Sequence, residues 1–203
     1  MSNRVNRQLT ASAFVALVLA AVAVAADSSA PGIVGATKVS WHDLPGVDGR
    51  QHSLSQLQAP VVVVAITCNH CPIAIEYYDR MKEFAAQHCG TGGQVALVAI
   101  SLSNLETDRL PRMQEMAQRK NFNFAYLHDA TQQVGKQLGA TNTPQFFVLD
   151  SNRTLVYRGA WDDSINPARV QRHYIEETVA ALLAGKVPAV AQTRATGCII
   201  RYE

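Results

Sequence analysis

Hydrophobic and polar residues alternate along the chain in ways that separate strands from helices. Two runs, VVVVAIT from Val61 and QVALVAISL from Gln94, are almost unbroken by polar residues, which predicts strands covered on both faces. Between them Tyr77, Met81, Phe84 and His88 recur at helical spacing, so one helix is predicted from Pro72, ended by Gly90, Gly92 and Gly93. Ahead of the first run, Gly46, Asp48 and Gly49 supply turn chemistry within LPGVDGRQHSLSQL and predict a hairpin. Downstream, a helix is predicted over 108–120, with Pro111 tolerated because it falls in the first turn. A short strand FNFAYLH follows, then a helix ATQQVGKQLG capped by Asp129 and stopped at Gly139. TPQFFVLD and TLVYRGAW read as strands joined by a tight turn, and a last helix is predicted from Pro167 to Leu183, with Asp162 and Asp163 ahead of it as capping or solvated acids. The closing stretch VPAVAQTRATGCIIRYE shows neither period. The order βαβ, then α, then ββα predicts an α/β fold, a central mixed β-sheet flanked by helices.

Composition changes the picture at the amino terminus. Of 203 residues, 48% are hydrophobic and 17% charged, enough for one domain with a sizeable core. Arg4 and Arg7 precede the apolar run ASAFVALVLAAVAVAA, which ends in small residues; these are the three parts of a secretory signal peptide. The run is shorter than the roughly 20 residues of a spanning helix and is weakened by alanine. The expected organisation is therefore a leader over 1–26, a domain over 27–190 and a tail over 191–203 carrying Cys198, in a periplasmic or secreted protein. Loss of Arg4 and Arg7 takes Lys+Arg from 18 to 16 against 16 Asp+Glu, a mature net charge of zero. Such a balance argues against nucleic acid as a partner, and leaves an uncleaved leader as the expected membrane contact.

Export bears on the four cysteines, Cys68, Cys71, Cys89 and Cys198, because disulfides persist outside the cytosol. Cys68 and Cys71 form a CxxC at a strand-to-helix junction, in CNHCP. Unpaired N–H groups and the helix dipole at that position favour a thiolate, expected here on Cys68. His70 would favour it further, and Pro72 lacks only an N–H that a first helical turn leaves unpartnered. Structural zinc needs two further ligands, usually a second close pair, and none is spaced for it; no metal and no cofactor are expected. Cys89, on the helix that carries Phe84, is expected to be buried.

A second element, GATNTPQFFVLD, completes the pattern. With VVVVAITCNHCP, the hairpin LPGVDGRQHSLSQL and TPQFFVLDSNRTLVYRG, the chain resembles thioredoxin-fold proteins of the redoxin, TlpA-like branch over nearly its whole mature length. The resemblance implies a thioredoxin fold with an N-terminal β-hairpin extension and a cis-proline at Pro144 beside the cysteine pair. It further implies that Thr143 offers its backbone to a bound peptide, and that Cys68 attacks a substrate disulfide while Cys71 resolves the intermediate. Protein thiols or disulfides and a redox partner protein are the implied partners. Thioredoxins proper carry Trp-Cys-Gly-Pro-Cys. The histidine before the second cysteine here resembles oxidising disulfide-forming proteins, so a less reducing potential is expected.

Cys198, in TGCII, resembles the Gly-Cys ending of exported redoxin-domain proteins with a CNHCP-like site. It is a candidate third redox cysteine folding back towards Cys68 and Cys71, a plain thiol, or a bridge partner of Cys89. Two other functions compete with thiol:disulfide exchange. A peroxidase needs Pro-x-x-x-Thr/Ser-x-x-Cys, which fits neither Cys68 nor Cys71. A copper-binding assembly chaperone of the SCO type would combine both cysteines with His70 or His128, but spaces its cysteines as CxxxC. A purely structural cysteine pair is the remaining alternative.

Overall fold

The structure is a computed structural model describing residues 32–90 and 92–203. The expected leader therefore lies outside the described residues. The predicted hairpin is present as β1 (Leu44–Pro45) paired antiparallel with β2 (Gln51–His52). The first apolar run is β3 (Val61–Thr67), buried at every position. Short α1 (Pro72–Ile75) and longer α2 (Tyr78–His88) follow, then β4 (Val95–Ser101), α3 (Leu110–Lys120) and β5 (Ala125–His128). After α4 (Gln133–Leu138) come β6 (Asn142–Thr143), β7 (Gln145–Leu149), β8 (Leu155–Gly159), α5 (Tyr174–Leu183) and a final two-residue strand β9 (Cys198–Ile199). No helix among the described residues is long and apolar enough to cross a membrane.

The main sheet has the order β5-β4-β3-β7-β8, with β3 parallel to β4 and antiparallel to β7. Its centre explains the unbroken hydrophobicity of β3. Val61, Val63 and Ala65 enter one core, with Tyr78, Met81 and Phe84 of α2 and Ile175 and Val179 of α5. Val62, Val64 and Ile66 enter the other, with Val134 and Leu138 of α4. A strand with helices on both faces has no position left for a polar residue. Trp161 closes the first core, its ring at T-shaped angles to Phe84 and Phe146.

Element boundaries differ from the sequence reading. The single helix from Pro72 is two, because the Tyr77 N–H donates to Ala74 O, an i−3 contact that tightens the turn; His88, expected on the buried face, is exposed. The last helix begins at Tyr174; residues 167–169 form only a 3₁₀ turn, in which the Asn166 side chain accepts from Ala168 N. Asp162 is neither a cap for it nor solvated. It is buried and ion-paired with Arg80, whose guanidinium also donates to Ser164 O and Ile165 O, tying α2 to the loop after β8. Asp163 accepts from Gln171 N instead. The helix predicted from Ala130 starts at Gln133 with Gln132 as its N-cap, and Asp129, three residues further back, accepts from Val134 N at 2.8 Å.

Candidate functional site

The site lies where the carboxyl end of β3 runs into α1. Parallel β3 and β4 end side by side, so the loops that follow them meet, and the turn ahead of β7 packs against both. Thr143–Pro144 in that turn is cis, as the resemblance implied. Cys68 and Cys71 are both buried here. Cys68 Sγ is 3.5 Å from the Thr143 hydroxyl, and Cys71 Sγ is 3.0 Å from the Thr143 carbonyl oxygen.

A residue that sequence reasoning missed organises this junction. The sequence predicts Asp108 at the start of a helix, but the helix begins at Leu110, and Asp108 sits in a 3₁₀ turn with its carboxylate fully buried. Its Oδ1 accepts from the backbone N–H of Asn69 at 2.7 Å and of His70 at 3.2 Å. Its Oδ2 meets His70 Nδ1 at 2.5 Å and accepts from Ser103 Oγ at 2.7 Å. The carboxylate therefore fixes both the main chain between the cysteines and the imidazole. With Nδ1–H donating to Asp108, Nε2 is left as an acceptor facing Cys68 Sγ at 4.0 Å. Nothing in the spacing of Glu106, Thr107 and Asp108 marks the third as buried; an acid in a first turn is ordinary in sequence. Asn69 is held as well, its side chain donating to Thr107 O and accepting from Tyr126 Oη.

The expected thiolate on Cys68 is corrected. The N-cap of α1 is Cys71, so the N–H groups of Ile73 and Ala74 in the first turn reach Cys71, and Cys68 receives only that of Cys71 itself. Burial pushes the Cys68 thiol up to about 12; the Thr143 hydroxyl opposes this, and the Asp108 charge adds to it. Burial also raises Cys71, but hydrogen bonds from the Cys198 thiol and from the N–H groups of Ala74, Cys198 and Ile73 outweigh it and leave Cys71 below the ordinary thiol range. Cys198 is pushed to about 11, first by its hydrogen bond to Cys71 and then by burial. The sulfurs of Cys71 and Cys198 are 2.6 Å apart as free thiols. The tail, patternless in sequence, thus forms β9 antiparallel to β6 and folds back to the cysteine pair. A Cys89–Cys198 bridge is ruled out by this placement: Cys89 packs against the first core, where burial raises it to about 11.

Because the Cys68 thiol ionises so high, its reaction with iodoacetamide is expected to rise about tenfold per pH unit from pH 7 to 10, without a plateau near neutrality. Peptide mapping of the alkylated chain checks this; a plateau below pH 8 would restore the resting thiolate.

Among the described residues, the copper set that the sequence suggests is not assembled. Cys71 faces Cys198, and His128 Nε2 lies 3.1 Å from Ser103 O. What the fold gathers is one thiol, one imidazole and one carboxylate, Cys68, His70 and Asp108, with ligand atoms within 4.8 Å of one another. A single sulfur makes this a poor set for a soft cation.

A match to the AhpC/TSA family spans residues 36–158. The chain belongs to that family. Two solved structures resemble this family member over most of their length. A hypothetical protein from Sinorhizobium meliloti is 29% identical with a TM-score of 0.75, over 84% of this chain and 95% of that one. An uncharacterised conserved protein from Geobacillus kaustophilus is 29% identical with a TM-score of 0.76, over 84% and 93%. A secreted disulfide oxidoreductase of Mycobacterium tuberculosis, 20% identical over 70% of this chain and 96% of that one with a TM-score of 0.53, shares the fold. No curated protein matches the chain in sequence. Family and neighbours agree on a thioredoxin-like redoxin protein, and the buried cysteines at the cis-proline turn support a redox function.

Proposed function

We propose that this AhpC/TSA family member is an exported thiol:disulfide oxidoreductase working through Cys68 and Cys71. The observation that carries the reading is the Cys68–His70–Asp108 array beside the cis-proline turn. A thiol that ionises high needs a base, and an imidazole held by a buried carboxylate supplies one. His70 Nε2 takes the Cys68 proton as Sγ attacks a disulfide, one half of the substrate leaves as thiol, and Cys71 displaces the other half to leave a Cys68–Cys71 disulfide. Pro72 and Thr143 position the pair, and Pro144 shapes the turn that carries Thr143. The basic start and apolar run of residues 1–26 support export to the periplasm or beyond, with the redox domain over 27–190 and the tail over 191–203. A redox partner protein returns the couple to its starting state.

Peroxide reduction is disfavoured by residues alone: Ala65 and Val61 stand where a peroxidatic Cys68 needs Thr/Ser and Pro. The histidine ahead of the second cysteine supports a couple less reducing than that of thioredoxin. Equilibration in glutathione or dithiothreitol buffers, followed by thiol trapping and mass spectrometry, is expected to give a reversible two-electron couple above about −270 mV, the value for thioredoxin. A pair that resists mild reductant, or turnover of peroxide that depends on Cys68, would replace this reading.

A further inference from the structure

The edge implied to receive a peptide substrate is already taken by this chain's own tail. Thr143 pairs with Cys198 and Asn142 with Ile199, antiparallel, as an added strand would. The docking is built rather than incidental. Ile200 N donates to Thr141 O at 2.9 Å, the Asn142 side chain donates to Gly197 O at 3.2 Å, and Tyr202 Oη donates to Ala140 O at 2.8 Å. The Glu203 N–H donates to Gln132 Oε1 at 2.8 Å, and Ile200 packs on the second core. Gly197 is required by this approach, because a Cβ there would collide with the Thr143 carbonyl oxygen and the Pro144 nitrogen. The tail thus lies on the cis-proline peptide itself and brings its thiol onto Cys71.

What the tail leaves open is a cavity of about 380 Å³ beside Cys68, walled by His70, Asn104 and Gln132 from the domain and by Ile200, Arg201 and Glu203 from the tail. A space of that size holds a small molecule, not an extended polypeptide paired along an edge. We infer that the tail is a built-in substrate: it closes the peptide-docking edge, Cys198 takes the disulfide over from Cys68, and the external substrate is a low-molecular-weight disulfide entering at Cys68. This rests on the oxidoreductase reading above and specifies its substrate and its third thiol.

The cycle balances without a further oxidant. Cys68 Sγ attacks RSSR, giving Cys68–S–S–R and one RSH. Cys71 Sγ attacks Cys68 Sγ and releases the second RSH, leaving a Cys68–Cys71 disulfide. Cys198 Sγ then attacks Cys71 Sγ; the Cys71–Cys198 bond forms, the Cys68–Cys71 bond breaks, and Cys68 leaves as a thiol again, its proton returned through His70. Two electrons have passed from two protein thiols to RSSR. An external dithiol restores the start by attacking Cys198, the more exposed end of the new bond.

The test compares three reduced proteins, the full chain, a chain ending at Thr196, and the Gly197→Val variant, which keeps Cys198 but cannot seat the tail. Each is given hydroxyethyl disulfide or insulin, and the oxidised products are alkylated and mapped by mass spectrometry. The full chain is expected to end with Cys71 linked to Cys198 and Cys68 alkylated, and to reduce hydroxyethyl disulfide at least tenfold faster than insulin. In the truncated and Gly197→Val proteins the product becomes Cys68–Cys71, and insulin reduction rises about tenfold. A full chain that ends only as Cys68–Cys71, or that reduces insulin as fast as the two tail variants, overturns the inference while leaving the oxidoreductase reading intact. If neither disulfide oxidises Cys68 in any of the three, both fall together.

Discussion

Cys68→Ser is expected to lower disulfide exchange by on the order of 10³-fold or more, leaving only background. The serine hydroxyl occupies the same buried place beside His70 Nε2 and the Thr143 hydroxyl, but it cannot form the sulfur–sulfur bond on which the reaction depends. Cys71→Ser is expected to fail differently. Cys68 still attacks, and the first half of the substrate still leaves. The second half then stays on Cys68, because the thiol that displaces it is gone and Cys198 faces position 71 rather than 68. Intact mass spectrometry after a single addition of a small disulfide distinguishes the two: no adduct on Cys68→Ser, one persistent adduct on Cys71→Ser. An adduct that clears from Cys71→Ser at the wild-type rate would remove Cys71 from the resolving role.

Asp108 carries the second large effect. Its carboxylate, fully buried, is the shared acceptor of two main-chain N–H groups, the His70 ring and the Ser103 hydroxyl. Asp108→Ala leaves those donors without a partner in a buried place, a loss of about 3–5 kcal/mol, or roughly 10 °C in Tm for a domain of this size. Asp108→Asn separates folding from chemistry. The amide oxygen can keep the two backbone donors, while the NH₂ group turns towards His70 Nδ1 and makes it an acceptor. The imidazole proton then moves to Nε2, pointing at Cys68 where a base is needed. Exchange at pH 7 is expected to fall by about 10²–10⁴-fold with little loss of stability. The sign of the pH dependence checks the assignment. As pH rises towards the ionisation of Cys68 at about 12, hydroxide does the work of the base, so the deficit of Asp108→Asn should shrink. A deficit constant with pH would make Asp108 purely structural.

Much of the fold is written in local pattern. Continuous apolar runs at Val61 and Val95 announce strands with both faces covered, because alternation disappears when no face meets water. The CxxC ahead of Pro72 and the Thr143–Pro144 turn likewise come from residues adjacent in the chain. Boundaries were less legible, since the break at Tyr77 and the late start of α5 at Tyr174 depend on which carbonyl or side chain competes for each N–H.

What the sequence by itself determined was the class of fold, the pair of sulfurs and the turn that faces them, all governed by short-range periodicity and by proline. Only the tertiary structure decided which sulfur ionises more easily, because that depends on where the first helical turn begins and on a thiol 127 residues away. It also decided that Asp108 is a buried acceptor and Asp162 the partner of Arg80, and that a tail without period is a strand. Burial, and the identity of a distant hydrogen-bond partner, are properties of the packed chain, to which neighbouring letters give no access.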